Sequence, residues 1–184
     1  MSFKKFLPVA LMVGLVAAVF VLAANALKIS AIWVPFISWP LYFIAGSKPS
    51  RLHKEIIGLT GGMLAGYVTL LVVVPFSNIF GATLGLPITI FIVASIIVIL
   101  ELTDWFELAP AYFFSFAGYF AYLFGNFGGT SGTSLSVMPM YWILLMVGLG
   151  LGYLTASMRK MILEKEGVSG DAQTTVFDKE GKTP

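Results

Sequence analysis

Gly148-Leu-Gly-Leu-Gly152-Tyr153-Leu-Thr155 is the stretch on which the fold turns. The same pattern occurs earlier as Gly62-Met-Leu-Ala-Gly66-Tyr67-Val-Thr69. Both read G-x-x-x-G-Y-x-T, and both lie inside long apolar runs. Glycines four apart share one helix face and carry no side chain. Another backbone can approach closely there, which is how helices associate in lipid. A motif present twice predicts a protein of two related halves.

The surrounding composition places those helices in a membrane. Apolar residues make up 58% of the 184 and charged residues 11%, against about 45–50% and about 25% in soluble domains. A net charge of +2, with no basic stripe interleaved with aromatics, argues against a nucleic-acid partner. The chain has no cysteine, which removes disulfides, thiolate metal sites and a thiol nucleophile.

Six apolar runs predict six transmembrane helices, at about 6–26, 29–46, 56–76, 86–102, 108–124 and 138–158. A helical crossing of about 30 Å of hydrocarbon takes about 20 residues. The first run also has the outline of a signal peptide, with Lys4 and Lys5 before it and Ala24-Asn25-Ala26 at its end. Retention is expected because this run has a counterpart later, and a mature N-terminus at Leu27 would reverse that. The second run is short and carries Pro35 and Pro40, so a bent or broken helix is expected there. Ser47–Glu55 reads as a polar, basic loop and Ser77–Gly85 as an uncharged turn. Asn126–Ser136, rich in Gly, Ser and Thr, reads as a flexible external loop. Residues 159–184 read as a largely disordered tail.

Six spans put Lys4, Lys5, Lys48, Arg51, Lys54, Arg159, Lys160, Lys165, Lys179 and Lys182 on one side and leave Lys28 on the other. Positive charge stays in the cytoplasm, so both termini are expected to be cytoplasmic.

The halves match at three ordered points. Leu7-Pro8 opens the first span and Leu86-Pro87 the fourth. Pro40-Leu-Tyr42-Phe43 in the second span answers Pro110-Ala-Tyr112-Phe113 in the fifth. The glycine motifs lie in the third and sixth. Three spans is an odd number, so the second half enters from the opposite side. That is the 3+3 inverted repeat of many transporters, whose substrate path lies at the repeat interface.

Interrupted helices in corresponding positions point to that path. Pro40, Tyr42, Pro110 and Tyr112 are therefore its candidate residues. A phenol both donates and accepts, which suits a small neutral solute. The competing reading is aromatic anchoring at the membrane surface. Glu101, Asp104 and Glu107 form an acidic junction, and Glu107, closest to Pro110, is the candidate for a coupling carboxylate. The plainer reading of all three is a solvated turn. Gly62, Gly66, Gly148 and Gly152 are assigned to helix packing. His53 is the single histidine, and three or four metal ligands cannot be assembled around it. No nucleophile set, phosphate loop or dinucleotide fingerprint is present. Neither catalysis nor a cofactor is expected.

Ile32-Trp33-Val-Pro-Phe36-Ile-Ser38-Trp39-Pro-Leu-Tyr42-Phe43, the Gly61-Gly62-x-x-x-Gly66 helix, Pro110 in an aromatic span and the glycine-rich last span together resemble the YcdZ-like inner-membrane proteins. The resemblance covers about residues 8 to 158. It implies a multi-span protein of the bacterial cytoplasmic membrane and brings no substrate or catalytic residue with it.

The sequence thus predicts an all-α polytopic membrane protein, homo-oligomeric in the lipid bilayer. Its expected role is a channel or facilitator for a small solute, with a path between spans two and five. The alternative is a structural or accessory subunit whose glycine faces pack against other membrane proteins.

Overall fold

The computed structural model describes residues 3–129 and 135–168, and among these every regular element is helical. The helices are α1 (Phe3–Ala26), α2 (Pro35–Ile44), α3 (Leu52–Phe80), α4 (Ala82–Leu100), α5 (Ala109–Phe124) and α6 (Met138–Lys165). α1, α3 with the 3-10 turn before it, α4 and α6 are long and apolar enough to cross a membrane. α2 is ten residues long, about 15 Å at roughly 1.5 Å per residue, half of a hydrocarbon core. α5, at sixteen residues, reaches about 24 Å.

Leu11, Leu15 and Leu22 on α1 and Phe91 and Ile99 on α4 are each more than half exposed. Apolar surface on that scale is what lipid covers. α4 is rich in Ile and Val, which are poor helix formers in water. In hydrocarbon the backbone has to satisfy itself internally, and the helix wins. Buried hydroxyls follow the same rule. Thr69, Thr89 and Thr155 donate back to the Ala65, Gly85 and Leu151 carbonyls at 2.8, 2.8 and 2.7 Å.

Several boundaries differ from the sequence reading. Residues 27–34 are turns, and α2 begins only at Pro35, where the missing N–H costs nothing. The expected loop at Ser47–Glu55 is shorter: a 3-10 turn at Pro49–Arg51 leads straight into α3, so Glu55 is helical. The expected turn at Ser77–Gly85 shrinks to Gly81, whose φ of 86° and ψ of 156° lie in a region essentially reserved for glycine. α4 folds back so tightly there that a Cβ on Gly85 would come within 2.6 Å of the Ser77 Cα. α6 continues to Lys165, past the expected end of the last span. The loop residues 130–134 and the tail from 169 lie outside the described residues.

Packing is organised by two central helices. α3 lies chiefly against α5 and α4, and α6 chiefly against α2 and α1. α3 and α5 run parallel, since Gly58 meets Ala111 and Gly66 meets Tyr119. α6 and α2 also run parallel, since Gly148 meets Pro35 and Gly152 meets Tyr42. α1 is antiparallel to α6: Val9 and Met12 cluster with Leu163, and Lys5 Nζ donates to the Glu166 carbonyl at 2.9 Å. The start of α3 meets the α4–α5 connection through Lys54, which donates to Asp104 and Glu107, both at 2.8 Å.

Candidate functional site

The glycine motifs build the centre of the molecule. A Cβ on Gly62 would overlap the Tyr112 backbone, with its carbonyl carbon and Cα both at 2.9 Å. One on Gly66 would lie 2.7 Å from the Tyr119 ring. On α6, a Cβ at Gly148 would overlap the Pro35 carbonyl and the Ser38 hydroxyl, and one at Gly152 would lie 2.7 Å from the Tyr42 Cβ. Both motifs are therefore filled by helices of the same chain. Gly150, between Gly148 and Gly152, faces open space.

Polar bonds lock the same contacts. Ser38 Oγ donates to the Leu145 carbonyl at 2.7 Å, and Trp39 Nε1 donates to Thr155 Oγ1 at 2.8 Å. Tyr141, fully buried on α6, donates its hydroxyl to the Ser115 carbonyl of α5 at 2.8 Å. Its ring lies 5.8 Å from that of Tyr119 and 5.3 Å from that of Tyr122. These aromatic rings fill the space where α2, α5 and α6 converge. Above them, on the Lys28 face, is a cleft of about 240 Å³ lined by Lys28, Ile29, Phe127, Val137 and Met140, with Tyr122 also in its wall.

The sequence-predicted path residues separate into two kinds. Tyr42 and Tyr112 are buried, at 1% and 3% exposure. Tyr42 rests on Gly152 of α6, and Tyr112 rests on Gly58, Gly61 and Gly62 of α3. Pro40 and Pro110 are exposed on the outside of their helices. Pro110 stands in the first turn of α5 and interrupts nothing, whereas Pro40 lies inside α2. Glu107 is an exposed ion-pair partner of Lys54. Asp104 shares that lysine, whose hydrogen bond holds the Asp104 carboxyl below the ordinary carboxylate range. His53 packs edge-on against Trp105, with ring centroids 5.4 Å apart.

One buried carboxylate was passed over in the sequence. Glu55, in the first turn of α3, has no exposed surface, and neither of its oxygens has a hydrogen-bond partner. Tyr42 is close enough to interact with it electrostatically. Tyr112 Oη, Ser115 Oγ and Ser47 Oγ are further buried polar atoms without a partner. An unpaired ion in a protein interior costs several kcal/mol, while a helix N-terminus returns at most about 2 kcal/mol. Burial therefore outweighs the dipole at Glu55. A sequence signal for it existed. Glu55, Leu59, Gly62, Gly66 and Thr69 recur at alternating steps of four and three, the period of one helix face, and all five are buried.

A family profile described as "Protein of unknown function (DUF1097)" matches residues 10–162. The chain belongs to this DUF1097 family. The match runs from within α1 to near the end of α6, so α2 to α5, both glycine motifs and Glu55 of this DUF1097 protein lie inside the family region. No curated protein and no solved structure matches the chain.

Proposed function

We propose that this DUF1097 protein moves a small solute across the bacterial cytoplasmic membrane. In this reading it is an inverted 3+3 repeat with six crossings and both termini in the cytoplasm. The narrower likeness to the YcdZ-like inner-membrane proteins and a homo-oligomeric state belong to the same proposal. The observation that carries it is an exchange of partners. The short helix of each half, α2 or α5, packs in parallel on the glycine helix of the other half, α6 or α3. The outer helices follow suit, with α4 antiparallel on α3 and α1 antiparallel on α6. Exchanging α1 with α4, α2 with α5 and α3 with α6 maps each of these pairs onto another.

The contacts also suggest a register that the motifs do not. Gly62 meets the Tyr112 backbone as Gly148 meets the Pro35 backbone, and Gly66 meets Tyr119 as Gly152 meets Tyr42. By packing, Tyr42 therefore corresponds to Tyr119 and Ser38 to Ser115. The Pro40–Pro110 match sits about two helical turns away, on the same helix face. The route in this account runs between α2 and α5. It begins at the cleft beside Lys28 and passes the buried tyrosines, which close it in the present conformation. The accessory-subunit alternative loses support, because the faces it needs for outside partners are filled from within the chain.

The test is reconstitution of the full chain into liposomes, with stopped-flow swelling across small neutral solutes such as urea and glycerol. Permeability above that of empty vesicles is expected for at least one. Rates equal to empty vesicles for the whole panel refute the reading.

A further inference from the structure

We propose that Glu55 is a proton-binding site, exchanging its proton with the basic face of the protein. The inference rests on the transport reading for its purpose, which is to link solute movement to protons, but not for its chemistry. Glu55 is fully buried and both of its oxygens lack a hydrogen-bond donor. Ionisable residues within membrane helices face interiors or cavities and mark ion and proton pathways.

The neighbouring cations do not serve it. Lys54 directs its ammonium outward to Asp104 and Glu107. His53 lies against Trp105, and Arg51 is exposed on the 3-10 turn. The elements packed on α3 carry Tyr42 from α2, Tyr112, Tyr119 and Tyr122 from α5, and Tyr141, Tyr153, Arg159, Lys160, Glu164 and Lys165 from α6. α4 carries no titratable side chain. Of these groups Tyr42 interacts electrostatically with the carboxyl, and nothing hydrogen-bonds to it. A divalent metal is ruled out as occupant by chemistry, since it needs several ligands and no group of three acidic or histidine side chains exists among the described residues. A proton needs one oxygen.

Position supplies the access. Glu55 stands one turn inside the start of α3 at Leu52, about 5 Å along the axis at 1.5 Å per residue. The step is simple: hydronium gives its proton to one Glu55 oxygen, forming a neutral carboxylic acid, and water is left. Release is the reverse.

The experiment is pH-titrated infrared difference spectroscopy of the full chain in phosphatidylcholine vesicles, in sodium-free choline chloride buffer, alongside Glu55→Gln. A carboxylic-acid C=O band is expected to persist well above the pH where an ordinary glutamate ionises, about 4.3, and to be absent from Glu55→Gln. Ordinary carboxylate behaviour throughout the wild type, which needs no variant to read, overturns the assignment. So does a band that survives in Glu55→Gln, or one removed by replacing choline with Na⁺, which would assign the site to a metal cation. Solute swelling measured on the same vesicles separates the two proposals. The band without swelling keeps the site and sinks transport, and swelling without the band does the opposite.

Discussion

Gly62→Ala tests the packing that organises the molecule. The added methyl would meet the Tyr112 carbonyl group and Cα, the latter at 2.9 Å. These are backbone atoms of α5 and cannot rotate aside, so α3 and α5 have to separate. Overpacking of this kind costs about 1–3 kcal/mol. Replacing glycine within a helix returns up to about 1 kcal/mol. The net expectation is a loss of about 1–2 kcal/mol, a five- to thirtyfold fall in the folded-to-unfolded ratio. Gly150→Ala is the matched control, because a Cβ there meets nothing within 4 Å. It keeps the helix gain without the clash and is expected to be neutral or stabilising by up to about 1 kcal/mol. Circular dichroism during SDS titration in mixed micelles reads both. Equal losses in the two variants, or none in Gly62→Ala, would refute the reasoning. A Gly62→Ala protein that keeps its stability but loses an oligomer would move the glycine face from inside the chain to between chains.

Two further outcomes follow from named bonds. Thr155→Val strands the Trp39 indole N–H, a loss of about 1–3 kcal/mol. Adding Trp39→Phe removes the stranded donor, so the double variant is expected to fall short of the summed losses by about 0.6–1.7 kcal/mol, the coupling range of membrane hydrogen bonds, in the same SDS titration. Asp104 is held below its ordinary value by Lys54, so its ion pair stabilises above the unfolded value of about 3.9 and fades as pH falls through the lower folded value. Thermal melts are expected to place wild type above Asp104→Asn at neutral pH and to bring the two together in acid and in high salt.

The glycine motifs were legible because a helix that admits another backbone has to omit its own side chains, and that omission is written in the sequence. The apolar lengths of α1, α3, α4 and α6 were legible for a similar reason. α2 was not, since nothing local fixes whether residues 27–34 turn or coil into helix; Pro35 only marks where a helix can begin. The prolines marked helix positions less well than they marked a motif. Pro40 lies inside α2 and Pro110 in the first turn of α5, and both face outward, whereas Tyr42 and Tyr119 rest on the motif glycines Gly152 and Gly66. Glu55 was obscured by its neighbours. Lys48, Arg51, His53 and Lys54 make the segment read as solvated, and only its register with Gly62 and Gly66 places the carboxyl on the packed face.

The inverted arrangement itself is open to a direct measurement. The chain has no cysteine, so single cysteines report without background. Ser50 precedes α3 and Ser136 precedes α6 at the corresponding place, and both are exposed. Labelling of Ser50→Cys and Ser136→Cys in intact cells with a membrane-impermeant maleimide is expected to mark Ser136→Cys from outside and Ser50→Cys only after permeabilisation. Both positions reacting from the same side would contradict two halves of opposite orientation, and the route between α2 and α5 would go with them.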